Sequence, residues 1–177
     1  VMVQRLCGIC PVSHHLAACK ALDQVVGATT LTPTAEKIRR LMHYGQILQS
    51  HALHFFHLAS PDLLFGFDAE VAKRNIVGVA AAAPDVARKG VLLRKYGQEI
   101  IRHTAGKRVH GTGSVPGGVN KNLTRAERAG LLGEIDTIVE WSREAVGIVK
   151  KLFADNARLY ESFGRFESNR LSLVRAD

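Results

Sequence analysis

Residues 33–60 constrain the fold most. Apolar side chains at Ile38, Leu41, Met42, Ile47, Leu48, Leu53, Phe55, Phe56 and Leu58 recur every three or four positions, the spacing of a helix rather than the alternation of a strand. Its start is also marked. Thr32 offers a capping hydroxyl, Pro33 fits a first helical position that has no N–H bond to lose, and Glu36 sets a negative charge where the helix dipole favours it. Ser60-Pro61 is expected to end the helix, because a proline disfavours the α conformation in the residue before it. A helix of that length needs other helices to cover its apolar stripe.

The remaining segments supply them. Residues 12–26 read as a first helix stopped by Gly27, with Leu16, Ala17, Cys19, Lys20, Leu22 and Asp23 giving a partly apolar face, and residues 29–32 as a turn. Residues 61–68, with Phe65-Gly66-Phe67, are expected to be a loop, residues 69–76 a short helix, and the alanine-rich stretch after it a link to Pro84. Pro84 can open a helix running to about Gly106, and the glycines from Gly111 to Gly118 mark a loop. Thr124 and Glu127 have capping-box spacing, so a helix is expected from Arg125 past Tyr160, bent or broken near Gly147. No strand of any length and no repeat is evident. The expected class is mostly α, a bundle of long helices, with residues 1–177 forming a single, partial domain.

Composition narrows the functional classes. No apolar run approaches membrane-spanning length, and three cysteines, an odd number, argue for a reducing compartment rather than a disulfide framework, so a cytoplasmic location is expected. The net charge of +8 invites nucleic acid. However, the basic residues are scattered in pairs such as Arg39-Arg40, Lys73-Arg74 and Lys150-Lys151, with few aromatics between them for stacking. That pattern weighs against a nucleic-acid surface.

The chemistry concentrates at Arg5-Leu-Cys7-Gly-Ile-Cys10-Pro-Val-Ser-His14. Two cysteines separated by two residues can turn both sulfurs toward one point, and thiolates select soft or borderline metals. Gly8 between them is expected to let the chain turn tightly. A thioredoxin-like exchange site needs a preceding strand and a βαβ setting that this chain lacks. A zinc knuckle built from Cys7, Cys10, His14 and Cys19, serving a basic nucleic-acid-binding module, is the sharper rival. Against it, Cys19 sits in Leu16-Ala-Ala-Cys-Lys-Ala-Leu22, the apolar side of a helix. Histidines 51, 54 and 57 step around a helix by about 60° each and cannot converge like an i, i+4 pair. With His43 they are assigned to packing and hydrogen bonding.

The Arg5-x-Cys7-Gly-x-Cys10-x-x-x-His14 segment resembles the amino-terminal metal-binding motif of the large, catalytic subunit of nickel–iron hydrogenases. Residues 39–67, with His43-Tyr44-Gly45-Gln46 and His54-Phe-Phe-His-Leu-Ala-Ser-Pro-Asp62, resemble that family's second block, and residues 106–118, with His110 and Gly117-Gly118, its third. The sequence Cys-Pro-Val-Ser-His-His after Gly8 and Leu64-Phe-Gly-Phe67 are closest to the bidirectional, NAD-linked cytoplasmic enzymes. Relatives in respiratory complex I keep the fold and bind quinone instead of metal, but the retention of Cys7, Cys10 and His14 argues against that branch.

The resemblance implies a nickel–iron centre whose iron carries carbon monoxide and cyanide, held by four cysteines from two distant motifs. Cys7 matches a terminal nickel ligand, Cys10 a ligand bridging nickel and iron, and His14 a histidine that hydrogen-bonds a bridging sulfur; Arg5 matches the motif's arginine. His110, Gly117 and Gly118 match a loop facing the partner's nearest cluster. The implied reaction is reversible heterolytic oxidation of H2, with electrons leaving through a small subunit that carries iron–sulfur clusters, and onward through a diaphorase module to NAD. Only half of the protein ligands are present, since no cysteine follows Cys19. The expectation is therefore the amino-terminal portion of a larger subunit, inactive alone.

Overall fold

The computed structural model describes residues 2–28 and 30–172, so Thr29 of the expected turn lies outside the described residues. A 3-10 turn at Val3–Leu6 leads into α1 (Pro11–Val25), then α2 (Pro33–Leu53), α3 (Ser60–Phe65), α4 (Ile76–Ala82) and α5 (Pro84–Ala105). Two-residue strands β1 (Ser114–Val115) and β2 (Gly118–Val119) form a small antiparallel hairpin, pairing Ser114 with Val119 and Val115 with Gly118. Helices α6 (Arg125–Asp155) and α7 (Ala157–Ser162) follow. The class is mostly α, as expected. The chain divides into two compact units, residues 1–142 and 143–177, with the boundary inside α6.

In the first unit α2 lies against α5, and small residues decide how closely. A Cβ placed on Gly97 would come within 2.7 Å of the Gln49 backbone nitrogen and the Gly45 carbonyl oxygen, and one on Gly45 within 2.7 Å of Ile100 Cγ2. The stripe that α2 buries is accordingly small or polar as often as it is aliphatic: Ala35, Ile38, Arg39, Met42, Gly45, Gln46, Gln49 and Ala52. Ile47 and Leu58, expected in the core from periodicity, are exposed in this chain. Val12 and Leu16 of α1, Met42 of α2, and Ile101 and Ala105 of α5 form one apolar cluster. Tyr96 of α5 donates its hydroxyl to the Leu131 carbonyl of α6 at 2.8 Å.

Several boundaries differ from expectation for physical reasons. Ser60-Pro61 does not end the long helix. Residues His54–Ala59 widen into π-helical turns, and Pro61 then falls in the first turn of α3, where a missing N–H has no partner to forgo. The stop comes at Gly66, whose φ of 90° no L side chain adopts comfortably. The short helix expected at 69–76 is displaced to Ile76–Ala82, the alanine-rich stretch itself. Asn75 fixes its start by accepting from the Val77 and Gly78 amides at 2.9 and 3.0 Å. Helix α6 runs unbroken through Gly147 and stops before Asn156. The capping box forms as expected: Thr124 Oγ1 accepts from Glu127 N at 3.2 Å, and Glu127 Oε2 accepts from Thr124 N at 2.8 Å. In the second unit Phe153 and Tyr160 stack at 6.1 Å between ring centroids.

Candidate metal centre

The order 3-10 turn, bend, helix puts the donors together. Cys7 is extended at φ −142° and ψ 134°, the chain bends through Gly8-Ile9-Cys10, and Pro11 opens α1 with Cys10 as its N-cap. His14 stands one turn into α1, its amide reaching back to the Cys10 carbonyl at 3.4 Å. The Cys7 and Cys10 sulfurs and a His14 ring nitrogen then all lie within 4.8 Å of one another. Among the described residues this is the one such group of three metal-donor side chains. Gly8 has no positive φ, and a Cβ there would meet nothing within 4 Å, so the turn does not require it as the sequence reading expected.

Two amides point at Cys7 Sγ: Ile9 N at 3.3 Å and Cys10 N at 3.2 Å. Hydrogen bonding from Cys10's side chain, then from these amides, pulls the Cys7 thiol below its ordinary value, while the same interaction pushes the Cys10 thiol up. Of the two thiols, Cys7 is therefore the one that gives up its proton first. Two sulfurs and an imidazole are a donor set that suits nickel, iron or zinc.

Cys19 does not join them. It is buried, 3.9 Å from His15 Nε2, and donates to the Ser114 carbonyl at 3.4 Å. His15 Nε2 accepts from Ser114 N at 3.3 Å, and burial pushes this imidazole below its usual range. His15 and Cys19 therefore tie α1 to the hairpin. The zinc-knuckle and nucleic-acid reading loses its fourth ligand and is not supported. Of the helix histidines, His51 donates from Nδ1 to the Ile47 carbonyl at 2.8 Å, His43 and His54 are exposed, and His57 is partly buried.

Arg5 is exposed on the 3-10 turn. His110 adopts a positive φ of 55° and donates from Nδ1 to the Gln4 carbonyl at 2.9 Å, joining the loop after α5 to the turn that precedes Cys7. Gly117 has φ 80° and donates its amide to Asp23 Oδ1 at 2.7 Å. The Gly118 carbonyl accepts from Arg39 Nε at 3.2 Å.

The sequence reading missed the buried polar frame behind these residues. Arg39 of α2 grips both oxygens of Asp23 of α1, at 2.6 and 3.2 Å, and also donates to the Val115 carbonyl at 2.7 Å. Hydrogen bonding from Arg39, with a further bond from Gly117, holds the Asp23 carboxyl below the usual carboxylate range. Gln49 of α2 donates its side-chain amide to the Ile9 carbonyl inside the cysteine turn. A signal existed: Arg39, Gln46 and Gln49 follow the helical spacing of the buried stripe, and a polar residue on such a stripe needs a partner.

The sequence model of the nickel-dependent hydrogenase family matches residues 1–82. Over 189 residues the chain is 43% identical to the NAD-reducing hydrogenase HoxS subunit beta of Cupriavidus necator, covering 100% of this chain and 38% of that protein. It is 42% identical over 174 residues to the matching subunit of the F420-non-reducing hydrogenase vhu of Methanococcus voltae, covering 98% of this chain and 41% of that one. Among solved structures, an NAD+-reducing NiFe hydrogenase in the H2-reduced state superimposes with a TM-score of 0.90 and 61% identity over 94% of this chain and 37% of the other. The Ni-Fe-Se hydrogenase of D. vulgaris Hildenborough gives 0.76 at 25% identity, over 89% of this chain and 34% of that chain. The chain thus spans about two fifths of the length of the relatives it matches. The similarity extends beyond the three blocks quoted above into the last helices.

Proposed function

The chain belongs to the nickel-dependent hydrogenase family, and from that premise we propose that its Cys7, Cys10 and His14 corner is half of the protein part of a nickel–iron centre that oxidises H2 reversibly. The observation that carries this is the convergence of two sulfurs and an imidazole within 4.8 Å, in a chain 61% identical to a solved NAD+-reducing NiFe hydrogenase. The residues present fit such a centre, because paired thiolates are the donors that nickel and iron prefer.

Cys7 and Cys10 would be the two thiolates that this chain supplies to hold nickel and iron; a second cysteine pair from elsewhere in the longer polypeptide would complete the set. When bound, the centre supplies the Lewis acidity toward H2 and accepts its electrons. The chain's own share is proton handling and orientation. H2 is a very weak acid, so a base must stand beside the metal, and Cys7 Sγ is the base we assign to take the first proton. His14 would donate to one of the cysteine sulfurs that hold the centre and tune its donor strength. For Arg5 we assign only a place at the rim of the site.

Electrons must leave singly through iron–sulfur clusters, and a cluster-bearing small subunit is the partner we propose to supply them. The loop carrying His110, Gly117 and Gly118 is our candidate for its contact surface. NAD, reached through a diaphorase module, is the proposed terminal acceptor, supported by 61% identity to the NAD+-reducing structure against 25% to the Ni-Fe-Se enzyme. No helix of the described residues is long and apolar enough to cross a membrane. The cytoplasmic location we assign rests on the three free thiols, which suit a reducing compartment.

Metal analysis of the full-length protein tests the reading. Nickel and iron should appear in equal amount with carbonyl and cyanide bands in the infrared, and Cys7→Ser should abolish both nickel binding and H2 uptake. Zinc alone, or no infrared bands, overturns it. Hydrogen-dependent reduction of NAD by the purified complex tests the acceptor.

A further inference from the structure

The Ile9–Cys10 peptide group faces two ways. Its carbonyl accepts from the Gln49 side chain, and its N–H, on the opposite side of the same plane, donates to Cys7 Sγ at 3.2 Å. A trans peptide is rigid and planar, so whatever orients the carbonyl also aims the N–H. Gln49 itself is well fixed: it is 4% exposed, it sits in the interior of α2, and α5 passes so close that a Cβ on Gly97 would lie 2.7 Å from the Gln49 backbone nitrogen. A buried side-chain amide in that position has little freedom to find another partner.

We propose that Gln49 is a positioning residue for the metal site: by gripping the Ile9 carbonyl it aims the Cys10 amide at Cys7 Sγ and so sets the donor strength of that thiolate. The inference rests on the nickel–iron reading above, and it adds a residue outside the cysteine motif, contributed by a different helix. An N–H···S bond draws electron density from the sulfur and stabilises the more reduced, more negative state of a thiolate-bound metal. The carbonyl bond also polarises the peptide and strengthens the N–H as a donor. Without the Gln49 amide the peptide loses its external anchor, the Ile9 carbonyl loses its partner, and the bond to Cys7 weakens.

The test uses the full-length protein with Gln49→Met, which keeps the length and the unbranched stem but removes the donor, and Gln49→His, which returns an N–H. In Gln49→Met the midpoint potential of the nickel centre should move to more negative values, and amide exchange of the peptide covering residues 8–11 should accelerate. Gln49→His should recover part of both changes. A loss of nickel in Gln49→Met that Gln49→His restores supports the proposal equally. An unmoved potential with unchanged exchange in Gln49→Met overturns it, and so do matching defects in both variants, which reduce Gln49 to packing. Wild-type protein without nickel would instead overturn the metal reading, while the exchange measurement would still report whether Gln49 holds the turn.

Discussion

Removing the Asp23 carboxylate is the sharpest structural test, because it strands a buried cation. In Asp23→Ala, Arg39 keeps its bonds to the Gly118 and Val115 carbonyls but loses both oxygens that balance its charge, and the Gly117 amide loses its acceptor. Both side chains are only 8% exposed, so little screening by water softens the loss. Breaking such a pair by deleting one partner costs about 3–5 kcal/mol. At about 1.4 kcal/mol per factor of ten, that is between roughly 140-fold and 4,000-fold in the local opening equilibrium. Hydrogen exchange of peptides covering residues 113–120 reads it directly, since the hairpin is what the pair secures.

The pH dependence follows from the direction of the shift. Asp23 is held below the usual carboxylate range when folded, so its contribution is fully present above the unfolded value of about 3.9 and is lost as pH falls through the lower folded value. The gap between wild type and Asp23→Ala should therefore be flat near neutrality and close only in strong acid. Replacing both partners, as Asp23→Leu with Arg39→Met, should cost less than Asp23→Ala alone. An acceleration of less than tenfold in Asp23→Ala, or a double variant worse than the single, refutes the reasoning.

Cys19→Ala in the full-length protein should leave the nickel content unchanged, whereas Cys7→Ser and Cys10→Ser each abolish it; metal analysis of the three variants separates core from ligand. Gly97→Ala should destabilise by about 1–3 kcal/mol in chemical denaturation, because the added methyl meets backbone atoms of α2 at 2.7 Å that cannot turn aside. Asn75→Ala should loosen α4 by about 1 kcal/mol, read as faster amide exchange at residues 76–82, because the Val77 and Gly78 amides lose their cap.

Local chemistry was legible wherever a signal and its consequence lie within a few residues. Thr32 and Pro33 start α2, Pro84 starts α5 and Gly106 closes it, and Thr124 with Glu127 caps α6, each as the sequence indicates. The Cys7, Cys10 and His14 convergence belongs here too, since eight consecutive residues contain all of its donors and the start of α1 at Pro11 brings Cys10 and His14 round toward Cys7. Local signals failed where a neighbour overrode them. Pro61 reads as a stop, yet the π-helical turns before it let the chain pass. The aliphatic residues of α2 read as its core, yet close approach of α5 at Gly45 and Gly97 gives much of the buried stripe to small and polar residues.

Only the tertiary structure decided which polar groups meet. Asp23 and Arg39 are 16 positions apart, Gln49 and Ile9 are 40, and His110 and Gln4 are 106. Periodicity can say that Arg39 and Gln49 fall on a buried stripe, and the cost of an unpaired polar group says that each must have a partner. It cannot say which partner, because that depends on how two helices cross and on how a loop returns, and those are set by side-chain volumes summed over the whole core rather than by any short run of residues. The sequence alone determined the cysteine turn and most of the helices around it; packing determined which carbonyl or carboxylate each buried polar side chain meets.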